Sequence, residues 1–354
     1  MLHRSERLLA LTAAASLCAG LVALDLVSPA PLPTRAVSHV TRAVPSAPPR
    51  PASPVVRRVL PPAPPEPPRA GCPVPPNHRP PYVPPPLPAP AVAETALPRP
   101  VAVAHKASSL AAVAGKGLWI TTFSARAFSV GRALADAHRA GVTSLWVRTG
   151  GSNQGYYGDG FLPALVPAAH AAGIRVVAWD FPFLSDPVRD AERARRALAA
   201  GVDAFAPDVE TAAEGTHLTS RRLALYLSLV RAVAGSRPVI ATVPRATPYN
   251  LRHYPYRTFQ PYADVFAPMV YWSCNEPGQL VHDSMSSLGR MLPVAPIGQG
   301  YDMASDGGRS GLPTRAETWR FLDVAKRSGA VGASMWTAEA MGAGQYAALA
   351  AYPW

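Results

Sequence analysis

A phrase of helix, glycine and strand recurs along the C-terminal two-thirds of the chain, and few folds accommodate it. Ala140-Gly141-Val142, Ala172-Gly173-Ile174, Ala200-Gly201-Val202 and Ser328-Gly329-Ala330 each set a glycine between a helical pattern and an apolar run. Glycine there takes the left-handed conformation that ends a helix. The first three glycines lie about thirty residues apart, the size of one strand–helix unit. The apolar runs predict strands over 118–123, 144–149, 175–181, 203–209, 238–243, 264–271, 293–299 and 331–336. They are continuous rather than alternating, as in parallel strands covered on both faces. Helical patterns fall near 128–140, 161–172, 187–200, 220–234, 280–290, 314–328 and 343–351. Asp186-Pro187 supplies a cap and a first-turn proline, and Thr314 to Glu317 reads as a capping box. Short right-handed connections close such pairs most simply into an α/β fold of the (β/α)₈ TIM-barrel type over 114–354. The alternative is an open doubly wound sheet with a glycine-rich phosphate turn after its first strand. The chain has Thr121-Thr122-Phe123-Ser124 there instead.

The barrel does not begin the chain. Of 42 prolines in 354 residues, 26 fall between Pro29 and Pro100. Such a stretch cannot pack a core and is expected to form a disordered linker over 31–113. Residues 31–110 carry nine Lys/Arg against two Glu, so much of the net charge of +12 sits there. A basic extended segment suits an anionic cell-wall polymer or lipid surface, or it is a plain spacer. Nucleic acid is not an expected partner, because Tyr82 is the lone aromatic of this segment. Ahead of it, Arg4 and Arg7 precede an apolar run from Leu8 to Leu24. Residues 1–30 thus read as an export signal or a retained signal anchor, and any membrane association is expected only through that anchor. Leu17 before Cys18 argues against lipidation. The expected location is secreted or at a bacterial cell surface. In an oxidising compartment Cys72 and Cys274 can pair or remain free thiols.

In barrels of this kind the chemistry sits at the C-terminal ends of the strands. Those ends read Arg148-Thr149-Gly150-Gly151, Trp179-Asp180-Phe181, Asp208-Val209-Glu210, Tyr271-Trp272, Gln299 with Tyr301 and Asp302, and Trp336. Carboxylates suit acid–base work at a glycosidic bond, and aromatic faces suit sugar rings. Asp208 and Glu210 are two residues apart on a strand, so both side chains point the same way. Two such acids repel, and one holds its proton to higher pH, which is what a general acid needs. Arg148 reads best as a cation that neutralises this cluster. His217, His253 and His282 lack metal-ligand spacing. No phosphate-binding loop or dinucleotide fingerprint appears. No metal or cofactor is therefore expected.

The stretch Asp203-Ala204-Phe205-Ala206-Pro207-Asp208-Val209-Glu210 resembles the strand-four signature of family 18 glycoside hydrolases, the chitinase-like barrels. That signature is Asp, two residues, Asp, one residue, Asp, one residue, Glu. Ala206 stands where the middle aspartate would be. Met269-Val270-Tyr271 resembles the family's strand-six Met-x-Tyr, with Trp272 in place of the following aspartate. Met335-Trp336 resembles the tryptophan that closes strand eight. The domain also resembles uncharacterised bacterial glycoside-hydrolase-like barrels sharing the Trp-Asp-Phe-Pro run of strand three. The resemblance implies a polysaccharide substrate, N-acetylated or from the cell wall. It implies Glu210 as the acid that protonates the leaving oxygen and Asp208 as the group orienting the N-acetyl arm. Tyr271 would hydrogen-bond that arm's carbonyl, and Trp336 would form the floor. Trp179, Asp180, Arg148, Gln299, Tyr301 and Asp302 are the expected substrate-binding surroundings. Ala206 leaves room for other schemes, with Asp180 compensating or with Asp180 or Asp302 as nucleophile, and for a barrel that binds carbohydrate without cleaving it. The lysozyme-like family 25 barrels also carry Asp-x-Glu on strand four. They have an aspartate on strand one that Leu118 to Thr122 lack.

Overall fold

A computed structural model of the chain describes residue 72 and residues 86–354, apart from 104, 105, 108, 122–128 and 307. The expected signal or anchor over 1–30 lies outside these residues, as does most of the expected linker up to residue 85. All described residues belong to one compact unit spanning 63–354.

Eight parallel strands form the centre. They are β1 (Gly115–Ile120), β2 (Ser144–Gly151), β3 (Arg175–Phe181), β4 (Ala204–Pro207), β5 (Ile240–Pro244), β6 (Val265–Val270), β7 (Ile297–Gln299) and β8 (Gly332–Trp336). Their order is β4-β3-β2-β1-β8-β7-β6-β5. Isolated parallel bridges Phe205–Val239 and Asp208–Thr242 close the ring between β4 and β5. The helices α1 (Val130–Ala140), α2 (Leu162–Ala171), α3 (Pro187–Ala199), α4 (Ser220–Ala234), α5 (Pro248–His253), α6 (Tyr256–Phe259), α7 (Pro277–Leu288), α8 (Arg315–Arg327) and α9 (Ala343–Ala351) surround it. This is the (β/α)₈ barrel that the recurring phrase implies. Gly141, Gly173, Gly201 and Gly329 all have positive φ, between 59° and 89°, which is why the phrase needs glycine.

Alternation along each strand sorts the side chains. Leu118, Leu145, Val176, Phe205, Ala241 and Phe266 point outward under the helices. Trp119, Trp146, Val177, Trp179, Ala204, Ala206, Ile240 and Ile297 point inward. The interior is dominated by tryptophan. Trp119 stacks on Trp146 at 4.7 Å and leans on Trp179 at 5.4 Å and Trp336 at 5.5 Å. Such pairs add about 0.5–1.5 kcal/mol each beyond burial. Their N–H groups are satisfied: Trp119 Nε1 donates to Ser334 Oγ, Trp146 Nε1 to Ser144 Oγ and Trp179 Nε1 to the Ile120 carbonyl.

Two elements differ from the sequence expectation. β7 spans three residues, and Val294 contributes only an isolated bridge to Phe266, because Pro293 and Pro296 donate no ladder hydrogen bond. The region after β5 forms α5 and α6, which the sequence pattern did not show. Pro248 and Pro255 cut it into pieces too short for a helical period.

The expected linker also ends earlier than residue 113. The described residues between 86 and 113 hold to the barrel. Val92 N donates to the Ser185 carbonyl, Thr219 Oγ1 to Glu94, Arg221 to the Leu97 carbonyl, Val101 N to Ser228 Oγ and Ala107 N to Asp264. Leu97 is buried, and Ala112 and Val113 join the inner cluster. The expectation fails here because prolines are sparse after Pro90 and the apolar residues among them find a surface. Cys72 and Cys274 form a disulfide, with Cα atoms 5.7 Å apart. It ties the proline-rich segment to the loop just after Tyr271.

Candidate active site

The bridge between Asp208 and Thr242 sets the end of β4 beside the end of β5. Ala204 and Ala206 face inward, so alternation carries Asp208 and Glu210 to the same face, and Val209 turns outward. Both acids open into a cleft of about 160 Å³ at the barrel mouth. Thr242 and Tyr271 supply its other polar groups. Trp119, Met269, Ile297 and Trp336 supply its apolar walls.

Enclosure decides the protonation of this pair. Burial pushes the Asp208 carboxyl up to about 7; Arg148 opposes the rise, and Asp180 and Glu214 add to it. Glu210 is held well above the ordinary glutamate range, first by burial, then by the charges of Asp208 and Glu214. The two titrate as a pair that holds a proton to higher pH than a lone carboxyl would. Asp208 Oδ1 and Thr242 Oγ1 are both buried without a hydrogen-bond partner. Buried polar atoms are rarely left so unless a water or ligand meets them. Tyr271, half-buried, packs edge-on against Tyr301 at 5.5 Å, and its hydroxyl is raised by burial.

The sequence candidates divide. Asp208, Glu210, Tyr271 and Trp336 converge on the cleft. Trp179 lies below it, in the inner core. Arg148 sits over the Trp179 ring at 5.0 Å, with Nε donating to the Gly150 carbonyl. Its charge acts on both Asp180 and Asp208, as a neutralising cation would. Asp180 does not enter the cleft. It lies on the outward face with Ala178, fully buried, and is ion-paired with Arg193 of α3. Asp302 is exposed and caps its own loop, accepting from the Ala304 and Gly311 amides. Neither acid is placed to serve as the nucleophile that the sequence left open. Gln299 accepts from Ser273 N and donates to the Tyr301 carbonyl, so it pins two loops. Tyr301 donates to Asp306. Asp203, at the other end of β4, accepts from Val176 N and pairs with Arg175 and His170. Trp272 faces outward against Phe321.

Sequence reading missed Thr242, Trp119, Met269 and Ile297 as lining groups. Thr242 is the one polar residue in the apolar run Ile240 to Val243, and that was the signal available. Met269 is marked only as part of the Met-x-Tyr resemblance, and Trp119 and Ile297 carry no sequence mark that separates them from core. No cluster of metal-ligating side chains occurs among the described residues. None of their helices is long and apolar enough to cross a membrane.

The raised Asp208 carboxyl has a consequence for stability. A folded-state value near 7 against an ordinary 3.8 means that the folded protein binds more protons between those limits. Stability is full below about pH 4 and falls as pH rises through 7. Asp208→Asn cannot ionise. It is expected to match the parent near pH 4 and to exceed it at pH 8 by on the order of 4 kcal/mol, or ~8–16 °C in Tm. Thermal unfolding at the two pH values checks this; a variant less stable than its parent at pH 8 would contradict it.

No protein-family model matches the chain, and no curated protein matches it in sequence. Solved structures do resemble its fold. A chitinase from Chromobacterium violaceum is 10% identical, with 67% of this chain covering 98% of that one at a TM-score of 0.50. The C-terminal domain of a protein described as a chitinase, from Desulfitobacterium hafniense, is 12% identical, with 67% of this chain covering 99% of it at 0.51. The Bacillus cereus spore cortex-lytic enzyme SleL is 10% identical, with 67% of this chain covering 73% of it at 0.50. The chain therefore has a chitinase-like barrel fold.

Proposed function

We propose that this chain is an exported glycoside hydrolase that cleaves an N-acetylated or cell-wall polysaccharide, with Glu210 as general acid. The observation that carries the proposal is the pair of enclosed acids, Asp208 and Glu210, opening together into the cleft beside Tyr271 and Trp336. Glu210, whose proton is held above the ordinary glutamate range by burial, delivers it to the glycosidic oxygen. Asp208 receives the N–H of the substrate's acetamido arm, and Tyr271 donates to its carbonyl, so that this oxygen attacks the sugar carbon. Trp336 and Trp119 supply apolar faces for the ring. The likeness in fold to chitinases and to a spore cortex-lytic enzyme supports this substrate class. The Cys72–Cys274 bridge supports export, since such bonds persist in oxidising compartments. The basic proline-rich segment would then hold the enzyme to anionic cell-wall polymer.

A second reading is a barrel that binds carbohydrate without cleaving it. Ala206 favours it, because no carboxylate stands below Asp208 to share its proton. Incubating the full chain with N-acetylglucosamine oligomers and with their de-N-acetylated counterparts separates the readings. Cleavage restricted to the N-acetylated series supports the proposal. Equal cleavage of both removes the acetamido group from the mechanism. Saturable binding without products selects the second reading.

A further inference from the structure

The tips of β4 and β5 meet where the barrel has no continuous ladder, only isolated bridges. Two tyrosines at the junction of α5 and α6 clamp that seam. The Tyr256 hydroxyl donates to the carbonyls of Pro244 at 2.9 Å and Arg245 at 3.2 Å, at the tip of β5. The Tyr254 hydroxyl donates to the Val209 carbonyl at 2.7 Å, at the tip of β4. The two rings are buried 4.7 Å apart, and Tyr254 also stacks on Phe259. Tyr254 N donates to the Asn250 carbonyl, and Asn250 Nδ2 donates to the Arg245 carbonyl, so the clamp is itself fixed.

The Val209 carbonyl belongs to the peptide plane that leads into Glu210. The peptide is rigid, so anchoring its oxygen sets the direction in which residue 210 leaves it. Val209 N donates to the Thr242 carbonyl at 3.2 Å, which ties the other side of residue 209. The Glu210 side chain enters the cleft from this peptide, so its aim follows the set of that backbone. We propose that Tyr254 is a positioning residue for Glu210, its hydroxyl fixing the peptide from which that side chain enters the cleft. The inference rests on the reading of Glu210 as the general acid. Without the hydroxyl, the peptide can turn and the carboxyl can drift toward water, where it ionises more easily. A misplacement of about 1 Å at a reacting group can cost on the order of 10²-fold in rate.

Tyr254→Phe keeps the ring and removes the hydroxyl. Tyr256→Phe, which loosens the same clamp on the β5 side, is the control. The measurement is the titration midpoint of the Glu210 carboxyl, followed by ¹³C NMR of glutamate-labelled full chain and assigned by its absence in Glu210→Gln. It is paired with kcat and KM on an N-acetylglucosamine oligomer. Expected for Tyr254→Phe is a midpoint lower by about one unit and a kcat lower by about tenfold or more, with KM within threefold. Tyr256→Phe is expected to lower Tm alone. An unchanged midpoint in Tyr254→Phe, with only Tm reduced, overturns the proposal, and so does an equal midpoint shift in Tyr256→Phe. If the parent hydrolyses nothing but the midpoint moves in Tyr254→Phe alone, the positioning role stands and the hydrolase reading falls.

Discussion

Glu210→Gln is expected to lower kcat on N-acetylglucosamine oligomers by about 10²–10⁴-fold, the range that a positioned general acid contributes. In free energy that is ~3–5 kcal/mol of transition-state stabilisation. Gln keeps the size and polarity of Glu but has no proton to give. KM is expected to change little, because the lost interaction forms as the glycosidic bond breaks. Folding is expected to survive, since Gln removes the cost of enclosing a charge next to Asp208. The leaving group supplies the sharper test. An alkoxide departing from a sugar needs the proton; a dinitrophenolate, already a stable anion, does not. The variant is therefore expected to lose most of its rate on the oligomer and far less on an activated aryl glycoside. Equal losses on both substrates, or turnover like the parent's, would falsify the assignment of Glu210 as the acid.

The architecture was legible because the phrase that signals it is local. A glycine of positive φ at the helix end and a continuous apolar strand after it are fixed by neighbouring residues. The inward pair was legible for the same reason, since strand alternation alone places Asp208 and Glu210 on one face. Asp180 was misread because a strand end offers two faces and the sequence does not say which one an acid takes. The answer came from Arg193, thirteen residues on, whose guanidinium waits on the outward side. The loop-pinning contacts of Gln299 and Asp302 were not legible, because their partners are backbone amides and carbonyls of nearby loops, which sequence pattern does not reveal. Thr242 and Tyr254 reach the site across the β4–β5 seam, and no local rule links residues so far apart in the chain.

Arg193→Met is expected to cost about 3–5 kcal/mol of stability, the price of stranding a buried charge, or ~6–20 °C in Tm for a domain of this size. Arg193 reaches Asp180 through Nε and Asp190 through Nη1 at 2.9 Å, and Nη2 donates to Ser152 Oγ. Asp190 in turn accepts from Leu184 N and Ser152 Oγ, so it keeps partners in the variant. Asp180 does not, and its Oδ1 already lacks a partner. Burial lifts the Asp180 carboxyl to about 6 even against the pull of Arg193. Removing the guanidinium lifts it further above its unfolded value. Stability is then retained while the carboxyl stays protonated and is lost as pH rises through and beyond 6. Denaturant unfolding at pH 5 and pH 8 is expected to show a small loss at the lower pH and most of the loss at the higher. Asp180→Asn added to Arg193→Met is expected to recover much of it at pH 8, because a neutral amide replaces the unpaired charge. A loss of the same size at both pH values, or no recovery in the double variant, would show that Arg193 acts through packing alone. The same pair bears on the cleft, since the Asp180 charge is one of those that raise Asp208. An Asp180 that takes up a proton for want of Arg193 no longer repels Asp208. The Asp208 titration is therefore expected to move down in Arg193→Met, linking a buried ion pair on the helix side of β3 to the acids at the mouth.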